Sequence, residues 1–429
     1  MVPRISLLQV KNYKSLQSIS VRLEPFTLFV GPNGSGKSNL FDAMAFIQEC
    51  IVEPPEIALK RRAGILSVIA QPTEKEAIPI PSEQPPEGWQ AYLDRSTLEA
   101  PRMGFRVVAD LSPVLRADYS FEMAAFQPGV FVIARERCVV ENGRGNSERY
   151  ETRNGKFTKE IPGIVPALLY DRLALPVASA TDTFRPVYDF LATMRFYSIV
   201  PDALRSPQEP DPGYHLRRDG SNAAAVLKNL NWYGQRASEM RDRVVRLLSM
   251  VAPGLESIES GPEFSTKETL WFQQRLGDQT SRPFRALSMS DGTLRVLGIL
   301  LAVYQYGPVS VVGIEEPEIT VHPALAEMIM EVLIDASQDR QILITTHSPD
   351  ILDFKDLKDH QIRVVNWHQG QTRLAPVSGV DRQAIRERLY SPGELLRTGE
   401  LDADEEAAEK SAGDVDLFGP AFPEDLPEP

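Results

Sequence analysis

A mixed α/β fold built on a parallel sheet is what this chain predicts, and three observations predict it. Gly31-Pro32-Asn33-Gly34-Ser35-Gly36-Lys37-Ser38 fits the P-loop pattern: a glycine, four free positions, then Gly-Lys-Ser/Thr. That loop lies between an apolar run at 27–30, read as a buried strand, and a helical period over 39–48 carrying Leu40, Met44 and Ile47. Far downstream an apolar run at 309–314 ends in the adjacent carboxylates Glu315 and Glu316, ahead of a helical pattern and a further strand at 341–345. Strand, helix and strand in that order make a βαβ unit with parallel strands.

The elements follow in order. Residues 5–10 and 19–23 alternate like a pair of strands ahead of the loop. The glycines let backbone N–H groups converge on phosphate oxygens at a helix N-terminus, where the dipole favours anions. Lys37 is placed to reach the β- and γ-phosphates of a nucleotide, and the Ser38 hydroxyl to ligate Mg²⁺. From 53 to 100 prolines crowd the chain, with Pro54-Pro55, Pro79, Pro81 and Pro85-Pro86, and an irregular connection is expected. Lys60-Arg61-Arg62 within it reads as a solvated face or as a phosphate contact. Strand-like runs at 105–109 and 130–140, with turn signals Asn142-Gly143 and Asn154-Gly155, predict an antiparallel β lobe. Helical periodicity returns over 187–255, with Val244, Leu247, Leu248 and Val251 at helix spacing. Ser290 is an N-cap candidate for an apolar helix running on from 296, and with Gly292 it forms a potential anion site. Of the paired acids, the first suits the outer shell of Mg²⁺ and the second suits orienting or deprotonating the attacking water. His347, after the strand at 341–345, falls at the carboxyl edge of the sheet near Glu316.

Composition bounds the function. The chain has 429 residues, 42% hydrophobic and 24% charged, ordinary for a soluble protein with two or three lobes. No apolar run reaches the length of a membrane span, so no membrane partner is expected. The start lacks the apolar core of a signal peptide, and the two cysteines, Cys50 and Cys138, have no metal spacing; a cytoplasmic setting is the simplest expectation. The net charge of −13 is concentrated: residues 400–429 hold eleven acids and one lysine. The remainder, with 48 acids and 45 bases, is close to neutral and neither demands nor excludes a local basic patch. The tail from 400 is expected to be disordered.

Val10-Lys11-Asn12-Tyr13-Lys14-Ser15 followed by that loop resembles the start of ATPases of the SMC/RecF/OLD type, within the ABC class. The resemblance covers 1–50 and about 186–401. It implies an α/β P-loop NTPase head of the ABC type, with an antiparallel β-lobe insertion and a helical lobe. The divisions expected are 1–52 and 281–399 for the two parts of the head, 53–165 for the proline-rich connection and β lobe, 166–280 for the helical lobe and 400–429 for the tail. The absence of a sustained heptad repeat separates the chain from SMC proteins proper and moves it toward RecF.

The resemblance also implies an ATP hydrolase that uses Mg²⁺ and closes as a homodimer on two nucleotides. Asn33, Gly34, Ser35, Gly36, Lys37, Ser38 and Asn39 are the expected nucleotide cradle, with Tyr13 or Lys14 near the adenine; a hairpin with solvated lysines is the other reading. Ser290-Asp291-Gly292-Thr293 stands where transporters have Ser-Gly-Gly-Gln, so Ser290 and Gly292 are expected to act on the opposite subunit's γ-phosphate. Ser38 and Glu315 are the expected metal residues, and Lys37, Glu316 and His347, matching the family's switch histidine, the catalytic ones. His322 falls in the D-loop region or caps the helix after it. Neither Gln48 nor Gln71 fits the Q-loop spacing. Two outputs are carried forward: a DNA-associated clamp in genome maintenance or repair, and an anti-phage or toxin ATPase controlling a separate nuclease. A transporter ATPase is disfavoured by the altered signature. Asp414-Val415-Asp416-Leu417-Phe418 faintly resembles a peptide that docks on the bacterial sliding clamp, although a plain solubilising tail is the preferred reading.

Overall fold

A computed structural model describes the chain except residues 71–88, 128, 144, 165, 233, 264–265, 278–279, 414 and 424–429. Gln71 and the prolines at 79, 81, 85 and 86 therefore lie outside the described residues. Two compact units are present: Met1–Met194 with Lys358–Leu389 and Glu400–Pro429, and Arg195–Leu357 with Tyr390–Gly399.

The first unit carries a seven-stranded antiparallel sheet in the order Leu16–Arg22, Arg4–Tyr13, Arg102–Ser112, Leu115–Gln127, Val130–Asn142, Ser147–Arg153, Lys156–Lys159. Val10 pairs with Ile19 on one side and Phe105 on the other, and Phe105 pairs with Phe121. The antiparallel lobe is thus continuous with the N-terminal hairpin rather than a free-standing insertion. Sequence reasoning splits them because the pairing of 4–13 with 102–112 spans about ninety residues, which no local pattern reports. Tyr13, Phe46, Phe105 and Phe121 pack ring against ring beneath this sheet, with centroids 5.1–5.6 Å apart.

Phe26–Val30, entirely buried, pairs in parallel with Ile362–His368, which turns back on Gln371–Pro376. Gln369 and Gly370 both take positive φ at that two-residue turn, as a hairpin of this kind requires. The P-loop helix runs Lys37–Val52, longer than its periodic core, and buries Leu40, Met44, Ile47 and Ile51. The proline-rich stretch is not irregular where described: Pro55–Lys60 and Ile65–Val68 are helices, and Trp89–Glu99 is a third. Pro55 sits at the first helical turn, where its missing N–H costs no hydrogen bond.

The acidic tail departs from the expected disorder over its described residues. Glu405–Ala412 is a helix capped by Asp404, with Ala407 and Ala408 buried against Ala375. Ser411 exchanges hydrogen bonds with both backbone groups of Ser20. High acid content argued for solvation, but the small residues on one face of this short helix fit flat against the edge hairpin.

In the second unit, Arg195–Tyr197, Val311–Glu315 and Gln341–Thr346 form a parallel sheet, with Gly313 opposite both Phe196 and Leu343. Pro323–Ala336 connects the last two strands, as the βαβ reading requires. Asp291–Tyr304 is buried along most of its length. The lobe expected to be helical over 166–280 is only partly so. Ala223–Trp232 and Gln235–Ser249 are helices, but Leu255–Glu263, Lys267–Leu276 and Thr280–Arg285 form a three-stranded antiparallel sheet. Its outer strand is mostly exposed and polar, so it shows little of the alternation that marks a strand in sequence.

Candidate functional site

The first constellation is the loop 31–38 on the first unit. Gly34 and Gly36 take φ of +80° and +103°, conformations that favour glycine. A Cβ at Gly31 would stand 2.1 Å from the Val365 carbonyl oxygen, and one at Gly36 would stand 1.9 Å from Thr372 Oγ1. Those glycines are therefore required twice, by backbone angle and by the closeness of the edge hairpin. Lys37 is buried, and its ammonium donates to the carbonyls of Gly31 (2.6 Å) and Pro32 (2.9 Å), folding back across the loop. The helix that starts at Lys37 has no side-chain cap, so its N-terminus is open to an anion. Ser35 is 1% exposed, and its hydroxyl has no hydrogen-bond partner among the described residues. A buried orphan hydroxyl in a glycine-lined cradle fits a bound phosphate. Asn33, Gly34 and Ser38 are exposed at its mouth.

A polar relay ties this loop down. Asn39 donates to Ser15 Oγ (2.7 Å), Ser15 and Thr372 share a hydroxyl contact of 2.7 Å, and Thr372 donates to the Ser35 carbonyl (2.9 Å). Asn39 thus points into the protein in this arrangement. Ser15 and Thr372 escape sequence reasoning because they lie 357 positions apart.

Tyr13 is fully buried among aromatic rings and its hydroxyl donates to Asp42 (2.6 Å), so its ring is no platform for adenine. Lys14, with φ +49°, pairs with Asp42 at 2.5 Å. Burial alone would raise the Asp42 carboxyl, but the hydrogen bonds and charge of Arg62 outweigh it and hold it at about 2. Arg62 also holds Glu49 and stacks on Phe46. Lys60 pairs with Glu56, and Arg61 with Glu53. The basic triplet is therefore engaged with carboxylates and is no open phosphate surface. Gln48 donates to the Ala192 carbonyl.

The second constellation is at the carboxyl ends of the parallel strands of the second unit. Glu315 pairs with Arg218 at 2.7 Å. Glu316 has φ +45°, unusual for a non-glycine residue, and is held there by hydrogen bonds from its N–H to Thr345 and from Arg295 to its carbonyl. Its carboxylate stands 3.4 Å from His347 Nδ1. Arg295 donates to the carbonyls of Ile199, Glu315 and Glu316 together, so one guanidinium fixes the strand end that presents both acids. Burial lowers its pKa while the three nearby glutamates oppose the shift. Glu318 accepts from Thr346 (2.5 Å), its other oxygen is buried without a partner among the described residues, and burial raises its pKa. Sequence reasoning gave no role to Glu318, Arg295 or Arg218.

Ser290 caps Asp291–Tyr304, accepting from the Thr293 N–H at 3.1 Å, and is exposed. A Cβ at Gly292 would meet the Thr320 carbonyl at 2.9 Å, so this glycine lets the signature turn approach the segment after the acids. His322 is exposed, and its carbonyl accepts the first bonds of the helix Pro323–Ala336.

Two family models match the chain, one over each of these stretches. Residues 4–74 match the family described as "AAA ATPase domain". Residues 183–353 match "AAA domain, putative AbiEii toxin, Type IV TA system". Over 41 residues the chain is 49% identical to the chromosome partition protein Smc of Methanocaldococcus jannaschii, a match spanning 9% of this chain and 4% of that protein. The fold is similar to the Smc head domain of a complex with the C-terminal domain of ScpA from Pyrococcus furiosus, with TM-score 0.50, 15% identity and 90% and 100% of the two chains covered. The Smc head from Pyrococcus yayanosii gives 0.48 at 12% identity, covering 90% and 100%. With AAA ATPase sequence in two blocks, the chain is a P-loop ATP hydrolase, and its fold is that of an Smc head domain.

Proposed function

We propose that the chain is a Mg²⁺-dependent ATPase that dimerises on ATP and works as a switch whose closed form holds duplex DNA. The observation that carries this reading is the pair of constellations: a glycine cradle with a buried, unpaired Ser35 hydroxyl, and paired acids fixed by Arg295. In this reading Asn33, Gly34, Ser35, Gly36 and Lys37 hold the phosphates of the substrate ATP, and Lys37 exchanges two loop carbonyls for phosphate oxygens. Ser38 and Glu315 would hold Mg²⁺, which neutralises phosphate charge when bound. Glu316 orients or deprotonates the attacking water, and His347, 3.4 Å from it, senses the γ-phosphate. Ser290 and Gly292 serve the nucleotide of the other subunit. Lys14 lies near the nucleoside, and two free buried cysteines suit a reducing cytoplasm.

A second output has its own support. The longer family match carries a toxin–antitoxin description, which favours an ATPase subunit that governs a separate nuclease or toxin. The Smc head of Pyrococcus furiosus binds ScpA, and a partner protein on this head is the corresponding proposal. The test uses Glu316→Gln, which is expected to bind ATP but not turn it over. If the ATP-bound variant retains duplex DNA, and releases it with a steep dependence on salt, the clamp reading stands. A nuclease that co-purifies from the native host, with no DNA retention, moves the output to the second reading. Parental turnover in the variant overturns the assignment of Glu316.

A further inference from the structure

The antiparallel sheet of the first unit has one face that its own pattern leaves polar. Arg106, Ser120 and Arg137 form a single cross-strand row, flanked by the row Gly104, Glu122 and Arg135. The neighbouring positions Phe105 and Phe121 point to the aromatic core. Arg106, Asp118 and Ser120 are nevertheless almost completely buried, and Arg137 is 7% exposed. What covers them is the end of the chain itself.

Segment 415–422 lies across this face and is read through its main chain. Arg106 donates to the carbonyls of Asp416 (3.2 Å) and Pro420 (2.5 Å), and Arg137 donates to those of Phe418 (2.7 Å) and Gly419 (2.8 Å). Asp118 accepts from the Phe422 N–H at 2.9 Å. The Phe418 ring lies under the Arg135 guanidinium at 4.2 Å, and the Phe422 ring under that of Arg116 at 4.8 Å. Leu417 is 3% exposed and fills the space left by Gly104, where a Cβ would stand 2.4 Å from its Cδ1. The contacts repeat the logic of peptide recognition: main-chain hydrogen bonds hold the segment, and pockets select side chains.

The charges say what kind of ligand this is. Arg106 is neutralised by Asp118, Arg116 by Asp110 and Arg135 by Glu151. A phosphate-tracking surface would leave its cations open, whereas three of these four guanidiniums are paired and the row spends its outer N–H groups on carbonyls. Among the described residues Arg137 has no salt-bridge partner, and its Nε and Nη2 are buried without a hydrogen bond. With the segment seated, that guanidinium is covered; without it, water would reach the whole row.

We propose that this face is a peptide-binding site and that segment 415–422 is its tethered, detachable ligand. The site takes a bent peptide, turning at 416–419, that presents its carbonyls and carries a leucine and two spaced phenylalanines. The segment that resembles a clamp-docking motif thus has its leucine and phenylalanine engaged at home, and they are available elsewhere only when it undocks.

The test uses the full chain and a labelled synthetic peptide of sequence 414–423, followed by fluorescence anisotropy. In the parent, the tethered segment competes at high effective concentration, so the free peptide binds weakly. Replacing Leu417→Ala and Phe418→Ala in the chain frees the face, and peptide affinity is expected to rise about tenfold or more. Adding Arg137→Ala to that background is expected to remove the gain. Equal affinity in the parent and the freed variant, or no effect of Arg137→Ala, overturns the proposal. Limited proteolysis of the parent supplies an independent reading that needs no variant to fold. Excess free peptide should expose the chain's own end to cleavage, and a cleavage rate unchanged by saturating peptide also overturns it.

Discussion

At the scale of single residues, the proposed nucleotide site depends most on Lys37. Its ammonium is buried and donates to two carbonyls of its own loop, so the loop wraps around a cation. Charge-assisted bonds to phosphate are stronger than those to carbonyls, and the exchange favours binding. Lys37→Ala is expected to weaken ATP binding by at least about a hundredfold, the loss of roughly two such bonds at 1.5–3 kcal/mol each. Titration with a fluorescent ATP analogue checks this; parental affinity would refute the cradle. The P-loop and the paired acids were legible because each is a contiguous motif whose chemistry forces the residue types. Arg295 was not, although it stands two positions after the signature stretch Ser290-Asp291-Gly292-Thr293. Its role is to grip three carbonyls, and carbonyls have no sequence identity to read.

At the scale of elements, the edge hairpin 362–376 braces the P-loop. Thr372 fills the space beside Gly36 and donates to the Ser35 carbonyl, so the loop is held from outside. Thr372→Val keeps the shape and removes the hydroxyl, which should cost about 1–3 kcal/mol because the Ser35 carbonyl loses its donor. Denaturant melts and ATP titration should both register it; parental values in both would show that the brace is passive. Glu136 pins another element. Its carboxylate accepts from Tyr119, Tyr150 and the N–H groups of Ala174 and Leu175, at the start of the helix Leu175–Ala178. Burial raises its pKa from 4.5 to about 7, against the pull of those hydrogen bonds. The folded chain therefore holds this proton more tightly than the unfolded chain. The sign follows: stability is greatest below the ordinary carboxylate range and falls as pH rises through 7, by a few kcal/mol in all. Glu136→Gln has no proton to lose, so the difference between parent and variant in denaturant melts should change between pH 5 and pH 8. A constant difference would place the titration elsewhere. Strand and helix types were largely readable from period, but the sharing of one sheet by 4–13 and 102–112 was not, since it is a long-range pairing. The tail was misjudged for a related reason: most acids among its described residues are exposed, while its order comes from Ala407, Ala408 and Leu417 meeting surfaces made by distant strands.

At the scale of the whole molecule, the proposal that matters is that each ATP is completed by a second copy. Ser290 is exposed and Gly292 half-buried at the start of a helix whose N-terminus can receive an anion. If the two act in trans, Lys37→Ala and Ser290→Ala damage opposite sides of a shared site. A chain lacking Lys37 still offers its serine, and a chain lacking Ser290 still offers its cradle. A two-fold dimer made of one of each then holds one intact site and one site broken twice. Each variant alone should be nearly inactive. Random mixing makes about half of the dimers mixed, each with one of two sites working, so an equal mixture should recover up to about a quarter of parental turnover. Sizing of Glu316→Gln with ATP supplies the complementary measurement, because blocked hydrolysis should hold the dimer together, and Ser290→Ala added to it should return it to monomer. A mixture as dead as its parts, together with a Glu316→Gln chain that stays monomeric on ATP, would place all the catalytic groups within one chain and end the sandwich mechanism.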